Sequence, residues 1–87
     1  MKLKYQFEIQ EVAGLNVAIA VGPGSEHFNA IINLNNTGKD FFDLLMQGKE
    51  RHEIIAEMQQ RYEVTPQQLE EELDKFVAQL QEKGVMA

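Results

Sequence analysis

The stretch NAIINLNNTGKDFFDLL, residues 29–45, decides the fold of this chain. It opens with the apolar run Ala30-Ile31-Ile32-Asn33-Leu34, which stops at Asn35-Asn36-Thr37-Gly38. A helix pattern follows at once, so the sequence predicts a strand that passes directly into a helix. No catalytic residue type lies at the junction, and the useful part of such a strand is its backbone edge. An exposed edge is a row of N–H and C=O groups that can pair with another peptide.

Two more strands are predicted before this stretch. Residues 4–12 alternate apolar and polar side chains, and residues 15–21 form a second, more apolar run. Ala13-Gly14 between them is a turn signal, so the two strands are expected to form a hairpin. The third strand is predicted over residues 28–34.

Three helices are predicted after the strands, over residues 36–47, 50–62 and 66–83. Asn35 or Asn36 is expected to cap the first helix, and Thr65 with Gln68 has the pattern of a capping box for the third. Strands followed by helices predict an α+β fold in a single domain over residues 1–87.

Composition excludes several classes of function. The chain has 87 residues, no cysteine, and a net charge of −6 from 8 Lys+Arg against 14 Asp+Glu. This balance argues against nucleic acid and anionic membranes, whose recognition depends on cationic side chains. The absence of cysteine excludes disulfides and thiolate zinc sites. With no secretory signal and no bilayer-length apolar run, a cytoplasmic protein is expected.

The sequence has no recognisable catalytic or metal motif. Arg51-His52-Glu53 suggests H-E-x-x-H, but Ala56 stands where the second histidine would be needed. The consecutive carboxylates Glu70-Glu71-Glu72 point in three directions around a helix and so do not converge on one reacting atom. We therefore expect no enzyme activity, no cofactor and no metal site.

A winged-helix regulator that binds DNA or another protein is the alternative. The second and third helices with a hairpin nearby have a winged-helix outline, in which the third helix would read bases. That helix has a net charge of −3, because five carboxylates outnumber two lysines, and phosphates would repel it. The charged residues are Glu70, Glu71, Glu72, Asp74 and Glu82 against Lys75 and Lys83.

Peptide recognition is the leading hypothesis. If the third strand is an edge and the third helix packs beside it, a groove between them could hold a guest strand. The expected contacts on the helix are Leu69, Glu72, Leu73 and Phe76, although an apolar stripe is also what any packed helix shows. The expected contacts on the strand are Asn29, Ala30, Ile31, Ile32 and Asn33.

The chain also resembles the PqqD-like family (coenzyme PQQ synthesis protein D), whose members are recognition elements for ribosomal precursor peptides. The resemblance is carried by VGPGSEHFNAII at 21–32, LNNTG at 34–38 with Phe41-Phe42 after it, and L-x-x-x-L-x-x-F-V-x-x-L from Leu69 with Lys83-Gly84-Val85. It spans Phe7 to Val85.

This resemblance implies a winged-helix-turn-helix-like fold with a three-stranded antiparallel sheet and three helices. It also implies a peptide chaperone that binds a leader segment beside the third strand and against the third helix. The chaperone then presents the leader to a maturation enzyme, often a radical SAM enzyme. Because an exposed edge can pair with its own copy, a monomer or a weak homodimer is expected.

Overall fold

The structure, a computed structural model, describes residues 2–22 and 31–87, which form an antiparallel sheet followed by helices. This confirms the predicted α+β class and the predicted order of elements. The strands are β1 (Gln6–Val12), β2 (Leu15–Val21) and β3 (Ile31–Leu34), and the helices are α1 (Asn36–Met46), α2 (Arg51–Arg61) and α3 (Pro66–Glu82).

The sheet has the order β1-β2-β3, so β2 is central and the other two strands lie at the edges. β1 and β2 form a hairpin in which Val12 pairs with Leu15 across the turn Ala13-Gly14. Both turn residues have positive φ, 53° at Ala13 and 81° at Gly14. A two-residue turn of this kind is typical of type I′, whose twist matches that of the strands it joins.

β1 begins two residues later than predicted because the chain before it pairs elsewhere. The Lys4 N–H donates to the Val85 carbonyl at 2.7 Å, and Leu3 forms an isolated bridge with Met86. The Ala87 N–H donates to the Lys2 carbonyl at 2.8 Å, so both ends of the described chain lie side by side. The predicted start of the third strand, residues 28–30, lies outside the described residues.

Local capping fixes where the helices begin. The Asn35 side chain accepts from the Gly38 N–H at 2.7 Å, and the Thr65 side chain accepts from the Gln68 N–H at 3.2 Å. These bonds confirm the predicted caps of α1 and α3 and satisfy amides that have no partner within the first turn.

The core lies between one face of the sheet and the three helices. Phe7, Ala18, Ile32 and Leu34 point inward from the sheet, and their relative exposures are 8% or less. The rings of Phe7 and Phe42 meet edge to face at 5.1 Å. The other fully buried side chains come mainly from the helices: Phe41, Leu44, Ile54, Met58, Leu69, Leu73, Leu80 and Val85.

Polar side chains tie the helices together, and Asp40 of α1 meets both Arg61 of α2, at 3.4 Å, and Tyr62. Arg51 donates to Asp74 at 2.6 Å and joins α2 to α3, and this bond raises the pKa of the Arg51 guanidinium. The Tyr62 hydroxyl donates to Asp40 at 2.5 Å and joins the end of α2 to α1. That hydrogen bond favours the protonated phenol and raises the pKa of Tyr62 above 10.

Candidate functional site: the open edge of β3

The register of the sheet shows which backbone groups of β3 point away from it. In a hairpin with a two-residue turn, the flanking residues form a hydrogen-bonded pair, here Val12 and Leu15. Along a central strand, the backbone N–H and C=O groups of successive residues point alternately to its two neighbouring strands. Those of Leu15 and Val17 therefore point to β1, whereas those of Asn16 and Ala18 point to β3.

The partners of Asn16 and Ala18 on β3 are Leu34 and Ile32. These two residues therefore use their backbone groups to pair with β2. The other two residues of β3, Ile31 and Asn33, therefore direct their backbone N–H and C=O groups away from β2, to the open side of the strand. Within residues 2–22 and 31–87, no strand pairs with that side. The edge of β3 thus offers two donors and two acceptors to a guest strand.

A groove opens where β3 passes into α1. We call it the edge groove; its volume is about 250 Å³. Asn35, Thr37, Gly38 and Phe41 form its wall on the strand and α1 side. The wall contributed by α3 consists of Glu72, Lys75, Phe76 and Gln79.

Gly38 sets the width of this groove at its base. A Cβ atom placed on Gly38 would lie 3.3 Å from Cε1 of Phe76 and 3.0 Å from Oδ1 of Asn35. A glycine at this point lets α1 and the Phe76 ring approach closely while the Asn35 cap stays in place. The half-buried Phe76 ring is held from behind by Phe41, at 5.8 Å, and Phe42, at 6.4 Å.

The structure divides the predicted site residues into two groups. Ile31, Asn33 and Glu72 are exposed, and Phe76 is half-buried in the wall of the edge groove. Ile32, Leu69 and Leu73 have relative exposures of 3%, 1% and 0% and belong to the core. They support the site from behind. Asn29 and Ala30 lie outside the described residues.

Six groove residues were not among the predicted site residues: Asn35, Thr37, Gly38, Phe41, Lys75 and Gln79. A signal for two of them is present in the sequence, since Lys75 and Gln79 follow Glu72 by three and seven residues. That spacing places all three on one face of a helix. The prediction followed the apolar stripe instead, and most of that stripe faces the core.

The charged residues of α3 point to different surroundings. Glu72 and Lys75 line the edge groove, so the wall presents one charge of each sign. Asp74 and Glu70 lie on another side of the helix, where Arg51 reaches them at 2.6 and 4.0 Å. A guest in the groove would meet Glu72 and Lys75 but not the carboxylates held by Arg51.

A larger cavity, of about 540 Å³, lies beside the other edge strand. It is bordered by the start of β1 and the end of α1, with Leu3, Leu45 and Met46 among its apolar residues. Unlike the edge groove, it has no part of α3 in its lining.

Within the described ranges, no three His, Cys, Asp or Glu residues are grouped as a metal site would require. No described helix is long and apolar enough to cross a membrane.

Comparison with known proteins gives one family and one structure. The family model for coenzyme PQQ synthesis protein D (PqqD) matches residues 18–86. A similar solved structure is TbiB1 in complex with the TbiA(beta) leader peptide, with a TM-score of 0.75 and 22% sequence identity. The match covers 99% of this chain and 94% of that chain, and it shows that the two share a fold. No curated protein matches the chain.

Proposed function

We propose that this chain, which belongs to the PqqD family, binds the leader segment of a ribosomally synthesised precursor peptide and presents it to a modifying enzyme. The leader adds to the sheet as a strand beside β3 and continues along the edge groove. The chain itself catalyses no step. The modifying enzyme is proposed to be a radical SAM maturase.

One observation carries this proposal: Ile31 and Asn33 direct their backbone groups away from the sheet, beside a groove bordered by α3. An extended peptide that pairs there satisfies its own backbone groups as well as those of the strand. The similar fold of TbiB1, which was solved with a leader peptide, supports the same use of this fold here.

Side chains of the edge groove would supply the selectivity that backbone pairing lacks. Phe76 offers an apolar surface, while Glu72 favours a basic residue of the leader and Lys75 an acidic one. Leu69 and Leu73 hold α3 in place from the core, so their contribution to binding is to position this wall.

The charge of α3 opposes the alternative of a DNA-binding regulator. Glu70, Glu71, Glu72 and Asp74 are all exposed on the helix that would enter the groove of DNA. Phosphates would repel this surface, whereas a neutral or basic peptide strand would not.

Amide exchange measured by NMR tests the proposal at single-residue resolution. The probe is a synthetic leader peptide from a short open reading frame encoded beside this chain. In the free protein, the amides of Ile32 and Leu34 should exchange slowly because they pair with β2, and those of Ile31 and Asn33 should exchange fast. Bound leader should slow Ile31 and Asn33 by about tenfold or more, with a Kd near micromolar or below.

A scrambled leader and a DNA duplex serve as matched controls in the same titration. Neither should protect Ile31 or Asn33. Protection by the DNA duplex in place of the leader would favour the regulator. Leader binding that leaves both amides unprotected would overturn strand addition at β3.

A further inference from the structure

The face of the sheet that points away from the helices is unusually apolar. Side chains alternate along each strand, so those next to the inward-facing Ile9, Ala18 and Ile32 must point outward. We call the resulting surface the outer face; it consists of Val12, Leu15, Val17, Ile19 and Ile31. None of these five side chains belongs to the core cluster or packs against it.

The outer face is open to solvent at both of its ends, whereas Val17 in the middle is buried, at 7%, and Ile19 is half-buried. Among the described residues, the large hydrophobic side chains that are exposed are Val12, Leu15 and Ile31, at 53%, 63% and 58%. All three lie on this one face. Scattered exposed apolar residues are ordinary, but Val17 and Ile19 join these three into one apolar surface, and such a surface marks an interaction site. Polar residues of the edge strands, including Glu8 and Asn33, border it.

Charge argues against a second copy of this chain as the occupant. Glu8 lies on the outer side of the sheet, the three strands contain no Lys or Arg, and the whole chain carries a net charge of −6. Two such faces would bring carboxylates together with no cation between them. Three strands about 4.8 Å apart also offer far less than the roughly 800 Å² per partner of a stable interface.

A weakly held partner with a basic border fits both the small area and the charge. A guest strand beside β3 would continue the sheet next to Ile31, so half of its side chains would extend the outer face. A protein that contacts this composite surface would distinguish the loaded chain from the empty one.

We propose that the outer face is the docking surface for the enzyme that modifies the presented peptide. The contact surface of that enzyme is apolar and bordered by Lys or Arg. This inference rests on the proposed function, since it concerns the enzyme to which the leader is presented.

Two substitutions at one position test the apolar and the charged part of this proposal. Leu15→Lys and Leu15→Glu both remove an exposed leucine and differ in the sign of the added charge. The assay uses the full chain, the leader-bearing precursor, and the purified modifying enzyme encoded beside them. We expect kcat/KM to fall more than tenfold for Leu15→Lys and about threefold for Leu15→Glu. The Kd for the leader should stay within twofold of native.

Ala56→Lys and Ala56→Glu provide the matched control, because Ala56 is exposed on α2 and lies off the outer face. They change the net charge equally and should leave kcat/KM unchanged. Unchanged kcat/KM in both Leu15 variants, with leader still bound, would overturn docking at this face. Equal losses for Lys and Glu would overturn the basic border. If native chain binds no leader, the proposed function fails and this inference fails with it.

Discussion

The two edges of the sheet differ in what lies beside them. Among the described residues, β1 has seven residues and β3 has four. β1 places the charged Glu11 on the helix-facing side, where an inward-pointing carboxylate discourages pairing with another strand. β3 carries no charge and ends at the edge groove. A strand edge is suited to bind a peptide when a helix lies beside it and the strand carries no charged side chain that discourages pairing.

The largest expected effect separates the groove wall from the core behind it. Leu73→Ala should lower the free energy of unfolding by about 3 kcal/mol, because a fully buried leucine leaves a cavity. Its neighbour Glu72 is exposed, so Glu72→Ala should change that free energy by less than about 0.5 kcal/mol. Denaturant titration measures both. Similar losses in the two variants would mean that Glu72 is not a wall residue.

The next effect compares the edges directly through proline. Asn33→Pro removes an outward N–H from β3 without touching its pairing with β2, and it should weaken leader binding at least tenfold. Glu11→Pro removes an outward N–H from β1 and should leave leader affinity within twofold. Isothermal titration calorimetry measures both, with circular dichroism to confirm folding. Equal weakening by the two variants would remove the distinction between the edges.

A smaller effect is expected at the junction that follows β3. Asn35→Ala removes the cap of α1, which accepts from the Gly38 N–H, and should cost about 1 kcal/mol of stability. The adjacent Asn36 is exposed at the first helical position, so Asn36→Ala should change stability by no more than about 0.5 kcal/mol. Thermal unfolding of the two variants measures both losses of stability. Equal losses would show that the side chain of Asn35 is not the cap.

The smallest expected effect on stability comes from a hydrogen bond that lies away from both edges of the sheet. Tyr62→Phe deletes the hydrogen bond to Asp40, for a loss of about 0.5–1 kcal/mol near neutral pH. Because the folded protein raises the pKa of Tyr62, this stabilisation is complete below pH 10. It disappears as the pH rises through the higher folded value.

Unfolding measured from pH 8 upward should therefore show native stability converging on that of Tyr62→Phe. Parallel curves across this range would contradict the assignment of Tyr62 as the titrating group. Leader affinity at pH 8 should be the same for both proteins, since Tyr62 does not line the edge groove.

Local features of the fold were predictable from the sequence. Caps depend on side chains within three residues, so Asn35 and Thr65 could be identified without any knowledge of packing. The start of β1 was not predictable in this way, because the Lys4 N–H donates to the carbonyl of Val85, some 80 residues further along the chain.

The candidate site was predicted at the level of elements but not of side chains. Which backbone groups of β3 point outward depends on its register with β2 and on which β2 residues face β3, and only the latter is set by the hairpin turn at Ala13-Gly14. An apolar stripe on α3 shows which side of the helix packs against the core, but it does not show which neighbouring side lines the groove. Leu69 and Leu73 were therefore predicted at the site, whereas Gln79 was not.

The outward backbone groups on the described part of β3, Ile31–Leu34, have a consequence for how long a guest stays. Ile31 and Asn33 each provide one N–H and one C=O, so a guest strand forms at most four backbone hydrogen bonds with them. At about 1 kcal/mol each, they supply roughly half of the ~8 kcal/mol that corresponds to micromolar affinity. With an association rate constant of about 10⁶ M⁻¹s⁻¹, such a complex dissociates in about a second. Backbone pairing with Ile31 and Asn33 therefore suits a peptide that is held briefly and then released.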